Sequence, residues 1–124
     1  MPTAAIIQTC VDPRIDHSVL RSQVRQKLER TQTRADAIYV LNNIGGNVGS
    51  SFRITVDLLR KNDFAIVLCA VLHHDDCLAA RAGLRKPLAI SRADMAKALT
   101  EVRVQCPVLT GNIRTESLVV VWSD

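Results

Sequence analysis

A chain of 124 residues, 48% apolar and 23% charged, has the size of one domain and too much apolar content for a disordered segment. Five Gly and four Pro exclude collagen-like or linker sequence, and the longest apolar run, Phe64 to Leu72, falls far short of the roughly 20 residues a membrane helix needs. The net charge of +4 comes from scattered basic residues with no block of like charge, and aromatics are only 3%, so solvated helix faces account for it better than a nucleic-acid surface does.

Ala4 to Cys10 reads as a strand with no polar face, hence buried on both sides. Asp16 can cap a helix that carries Leu20, Val24 and Leu28 along one face. Asp36 to Leu41 is a second strand, and it runs into the turn-rich segment Asn42 to Gly49. Ser50 or Ser51 then caps a helix to about Arg60, with Phe52, Val56 and Leu59 facing inward. Phe64 to Leu72 is apolar throughout, which places it at the centre of its sheet. His73 to Cys77 follow at its carboxyl end, and a short helical stretch closes at Gly83. Ser91 and Asp94 resemble a capping box for a helix with Met95, Leu99 and Val102 on one side. Ser117 to Trp122 reads as the last strand.

Strands alternating with helices predict an α/β fold over residues 1–124, a single domain with a mainly parallel central sheet flanked by helices on both faces. The first ten residues carry no secretory pattern, so the expected location is the cytoplasm. The thiols of Cys10, Cys69, Cys77 and Cys106 stay reduced there, and the default for Cys69 and Cys106 is burial in the core.

In folds of this kind ligands bind outside the carboxyl ends of the strands, where strand order reverses. Two polar clusters stand at such ends, Cys10-Val11-Asp12-Pro13-Arg14 and His73-His74-Asp75-Asp76-Cys77. Taken singly, Cys10 and Cys77 read as small buried hydrophobes and His74 as a loop histidine. Taken together they read as a zinc set, because zinc favours thiolate and imidazole ligands and a catalytic site keeps a fourth position open. Arg14 can grip the Asp12 carboxylate through two parallel hydrogen bonds and keep it ionised. Released from Arg14 at low pH, Asp12 can instead close the open position on the metal.

These residues resemble the β-class carbonic anhydrases. The likeness rests on Cys10-x-Asp12-x-Arg14, a turn Asn43-Ile44-Gly45 after the second strand, and the HHDDC run containing His74-x-x-Cys77, a form found in the shorter bacterial members. It implies one zinc ion per subunit on Cys10, His74 and Cys77, with Asp12 and Arg14 as the catalytic dyad. Three departures stand out. The helical arm and the glutamine that usually precede the first strand are expected to be lacking; Leu78 replaces the Gly after the last ligand; and the second motif reads Asn42-Asn43-Ile44-Gly45 in place of Arg-Asn-x-Gly.

The resemblance implies a zinc lyase that reversibly hydrates carbon dioxide to bicarbonate through a zinc-bound hydroxide, with Asp12 orienting that hydroxide; by their loop position alone, His73, Asp75 or Asp76 could pass the proton to solvent. Alternatives are hydrolysis of carbonyl sulfide or carbon disulfide on the same fold, and a zinc-holding interaction module with weak turnover. A nucleic-acid-binding domain, resting on pI alone, ranks last. The exposed edges of a small parallel sheet and the habit of the family imply at least a homodimer, with the Asp36 to Leu41 strand as the candidate seam.

Overall fold

A computed structural model describes residues 1–123. Strand β1 (Thr3–Cys10) is buried from its second residue onward, as a strand lacking a polar face requires. Helix α1 (His17–Arg30) starts at Asp16, whose carboxylate accepts from the backbone N–H groups of Ser18 (2.8 Å) and Val19 (3.2 Å), and it ends with Lys27 and Arg30 against its negative pole. Strand β2 (Ala37–Asn43) leads into a 3-10 turn at Ile44–Gly46, and helix α2 (Ser50–Lys61) follows. Strand β3 (Ala65–His74) is the longest. A one-turn helix α3 (Leu78–Arg81), helix α4 (Leu88–Glu101), and strands β4 (Val108–Arg114) and β5 (Val119–Trp122) complete the chain.

The sheet order is β2-β1-β3-β4-β5, parallel except for the β4–β5 pair. One core packs Ala5, Ile7, Leu68, Ala70 and Leu72 against Leu20, Val24 and Leu28 of α1. The other packs Ala4, Ile6, Ile66 and Val71 against Phe52, Val56 and Leu59 of α2 and Met95 and Leu99 of α4. The sheet is therefore covered on both faces, as expected. Between β1 and β3 the register shifts: Ala4 pairs with Ile66 but Ala5 with Leu68, which leaves Val67 as an extra residue. Because successive side chains alternate, that one residue fixes which face every later β3 side chain takes.

Five expectations need correction. Val108–Arg114 is a strand with no clear pattern in the sequence, because Gly111 and Asn112 interrupt its apolar run. Gly111 is there for close approach: a Cβ at this position would stand 2.9 Å from the Val121 carbonyl oxygen on β5. Helix α4 begins at Leu88 after Pro87, so Ser91 lies buried inside the helix and does not cap it. Helix α2 begins after Gly49, with no side-chain cap from Ser50 or Ser51. His73 and His74 belong to β3 rather than to the loop after it. The last strand is shorter than the Ser117 to Trp122 expectation, starting only at Val119.

Candidate metal centre

Strand order reverses between β1 and β3, the two strands whose carboxyl ends carry Cys10 and His74. Alternation along β3 separates its two histidines. His74 falls in phase with Leu72, whereas His73 takes the other face with Val71. Cys77 arrives by a tight turn in which Asp76 adopts φ 54°, and α3 starts directly after it. That short helix ends in a Schellman motif: Gly83 N–H donates to the Ala80 carbonyl (3.1 Å) and Leu84 N–H to that of Ala79 (2.8 Å).

Ligand-type atoms of Cys10, His74 and Cys77, all three residues buried, lie within 4.8 Å of one another. The thiol sulfurs of Cys10 and Cys77 are 4.0 Å apart. Two thiolates on one tetrahedral zinc, each about 2.3 Å from it, stand about 3.8 Å apart, so the pair fits that ion with almost no movement. His74 supplies a second test of fit. Its Nδ1 lies 2.7 Å from the Asp75 carbonyl oxygen, which only accepts, so Nδ1 carries the proton and Nε2 keeps its lone pair. That Nε2 is buried and has no hydrogen-bond partner. A buried lone pair without a partner, beside two thiols, is the donor set a zinc ion satisfies.

Asp12 and Arg14 meet as the sequence suggests. Arg14 Nε donates to Asp12 Oδ1 at 3.0 Å and Nη2 to Oδ2 at 2.7 Å, a bidentate pair. These bonds hold the Asp12 carboxyl at about 2, well below the ordinary aspartate value, with the backbone N–H of Arg14 and the charge of Arg14 adding to the effect. The Asp12 carboxylate lies 3.9 Å from His74 Nδ1, beside the candidate ligands. Arg14 Nη2 also reaches the Asp76 carbonyl (3.2 Å), so one guanidinium braces both the carboxylate and the turn that delivers Cys77.

Two clefts open at this end of the sheet. One, of about 360 Å³, is lined by Cys10, Val11, Asp12, Ile44, Leu78 and Leu84 among others and is mostly apolar apart from Asp12. The second, of about 540 Å³, is lined by Asp12, Pro13, Arg14, Asp76, Leu78 and Arg81. Leu78, 72% exposed, forms a wall of both. It occupies the first position of α3 with no positive φ, so this backbone needs no glycine there.

Of the three residues suggested for proton transfer, only Asp76 borders these clefts. Burial, reinforced by nearby Arg85, pushes the pKa of His73 down to about 4, which keeps it neutral at pH 7 on the far face of the sheet. Asp75 opens into a separate cleft with Asn112 and Arg114. Cys69 is buried and faces the half-buried Cys106 at 3.8 Å, and all four cysteines are free thiols.

No family model matches the chain, and no curated protein matches it either. Solved structures do. A carbonic anhydrase from Streptococcus mutans aligns with 100% of this chain and 86% of its own length, with a TM-score of 0.57 at 15% identity. A β-carbonic anhydrase from Coccomyxa aligns with 99% of this chain and 72% of its own, with a TM-score of 0.60 at 13% identity. The chain has the β-carbonic anhydrase fold. A tetrameric β-carbonic anhydrase from the ascomycete Sordaria macrospora shares it over 99% of this chain and 81% of its own, with a TM-score of 0.55 at 9% identity.

Within this β-carbonic anhydrase fold, several residues that the sequence reading left without a role hold the candidate ligands in place. Asn42 Nδ2 donates to the Cys10 carbonyl (3.0 Å) and Arg85 Nη1 to the His74 carbonyl (3.2 Å). Asn47 ties the segment carrying Arg85 to the 3-10 turn, donating to the Leu84 carbonyl (2.8 Å) and accepting from the Lys86 N–H (3.0 Å). Gly46, at φ 69°, lets that turn pass against the Cys10 backbone, where a side chain would be strained. The turn composition was visible in the sequence; what it clamps was not.

Proposed function

We propose that Cys10, His74 and Cys77 hold one zinc ion through two thiolates and the Nε2 lone pair, and that the chain reversibly hydrates carbon dioxide to bicarbonate. When bound, zinc supplies Lewis acidity and lowers the pKa of the water it holds. Two thiolates cancel the charge of the ion, which moderates that acidification. The remaining work belongs to the protein. Asp12, kept ionised by Arg14, accepts a hydrogen bond from the attacking oxygen and so orients it. The apolar cleft beside Cys10 suits a small neutral linear substrate and offers few partners to an anionic product, which favours release. Asp76, exposed at the mouth of the second cleft beside Arg81 (3.4 Å), would hand the proton to solvent; its border on that cleft supports this role.

The observation that carries this reading is the partnerless buried Nε2 of His74 beside two thiols, with an ionised carboxylate next to it. Zinc content measured together with stopped-flow carbon dioxide hydration tests it. The apolar lining of the cleft favours one further reading, hydrolysis of carbonyl sulfide or carbon disulfide by the same residues. Parallel assays on the three substrates separate the two, and sulfide release far exceeding bicarbonate formation would select the second. Zinc bound without any turnover would leave a zinc-holding module.

The same reading places the protein in the cytoplasm as a homodimer or larger assembly. Among the described residues no helix is long and apolar enough to cross a membrane. Strand β2 is an edge of the sheet, with Tyr39 partly exposed on it, and an unpaired edge of this kind is open to a second copy.

A further inference from the structure

We propose that Thr115 and Asn112, from β4 and the turn after it, are positioning residues for His74 and set the affinity of the centre for its metal. The inference rests on the metal reading above. His74 makes its orienting hydrogen bond to the main chain, through the Asp75 carbonyl oxygen, 2.7 Å from Nδ1. A carbonyl orients a ring only as well as it is itself held, and this one is held closely. Thr115 Oγ1 donates to the same oxygen at 2.9 Å, using its second lone pair. Asn112 Nδ2 donates to the Asp75 side chain at 2.9 Å. The Asp75 N–H donates to the Ile113 carbonyl at 3.2 Å, and the His74 carbonyl accepts from Arg85. The peptide units on both sides of Asp75 are thereby fixed, mostly by groups of β4 and its following turn.

The consequence falls on one atom. With the carbonyl fixed, Nδ1 keeps its proton and the ring plane is set, so Nε2 presents its lone pair toward the thiols of Cys10 and Cys77. Groups that hydrogen-bond a ligating histidine directly govern metal affinity by roughly 10–100-fold, and Thr115 and Asn112, one hydrogen bond further out, act at the low end of that range. Thr115 lines neither cleft around Asp12 and bonds to the Asp75 carbonyl, so its effect passes through Asp75 and His74.

The test uses the full chain and two probes, zinc in competition with a chromophoric chelator and cobalt(II) absorption. Thr115→Val keeps the shape and removes the donor; Thr115→Ser keeps the donor. We expect Thr115→Val and Asn112→Ala each to weaken zinc binding about 10-fold or more and to alter the cobalt ligand-field bands. Thr115→Ser should stay within about twofold of the wild type, and every metal-free variant should remain folded with a single cooperative thermal transition. Thr115→Val binding zinc as tightly as the wild type, with an unchanged cobalt spectrum, would overturn the inference alone. The metal-free imidazole nitrogen spectrum is independent of whether any variant loads metal. Wild type should show His74 as the Nδ1–H tautomer and Thr115→Val a mixture; identical spectra would also overturn the inference. A wild type showing no thiolate-to-cobalt charge transfer would bring down the metal reading itself, and this inference with it.

Discussion

At the residue scale the proposed chemistry depends on one ion pair. Asp12 is largely covered, with 11% of its side chain exposed, and its hydrogen bonds to Arg14 hold its carboxyl at about 2. A folded-state value below the ordinary aspartate value of about 4 means that the pair adds stability above that range and loses it as pH falls through about 2. Asp12 therefore remains charged throughout the pH range in which the protein would work, and protonation of Asp12 is not what limits activity on the acid side. Any acid-side loss accompanied by Asp12 moving onto the metal would come from weaker competition for the fourth position. Replacing Arg14 with Ala should raise the Asp12 carboxyl value of the metal-free protein toward that of an ordinary aspartate. Carboxyl carbon NMR titration reads this directly, and a value still near 2 would show that something other than Arg14 holds the charge.

At the scale of elements, what was legible in the sequence was what the physics writes locally. The apolar runs of β1 and β3, the Asp16 cap, and the Leu20, Val24 and Leu28 stripe all lie where their patterns point. The convergence of the candidate residues Cys10, His74 and Cys77 beside the Asp12–Arg14 pair was legible for a related reason: polar, metal-binding types at the ends of apolar strands have few structural uses. Strand β4 was illegible because its glycine and asparagine serve neighbours distant in sequence. Gly111 makes room for β5, and Asn112 holds Asp75. The roles of Thr115 and Arg85 were hidden likewise, since each acts through a backbone carbonyl that no residue type reveals. Gly111→Ala tests this account of β4. Its Cβ would meet the Val121 carbonyl at 2.9 Å and Leu72 Cδ2 at 3.1 Å, so denaturant unfolding should show a loss of about 1–3 kcal/mol. Unchanged stability would argue against the close β4–β5 approach.

At the scale of the whole molecule, topology does the assembling. Because strand order reverses between β1 and β3, a cysteine and a histidine far apart in sequence meet at one crevice, and the β3 turn adds the second cysteine. The same topology leaves β2 and β5 as edges. Pairing of two copies along β2 predicts a dimer or a multiple of it in light scattering at micromolar concentration. A proline in place of Val40, in the middle of that strand, should shift the distribution toward monomer if β2 is the seam. A wild-type monomer at that concentration would contradict the assembly.

We propose that the Cys10, His74 and Cys77 centre carries carbon dioxide hydration. Stopped-flow hydration by the zinc-loaded protein, with zinc per chain measured on the same sample, tests it most directly. The expected result is one zinc per chain and hydration well above the buffer rate, lost together with the metal in His74→Ala. One zinc per chain with hydration no faster than buffer would contradict it.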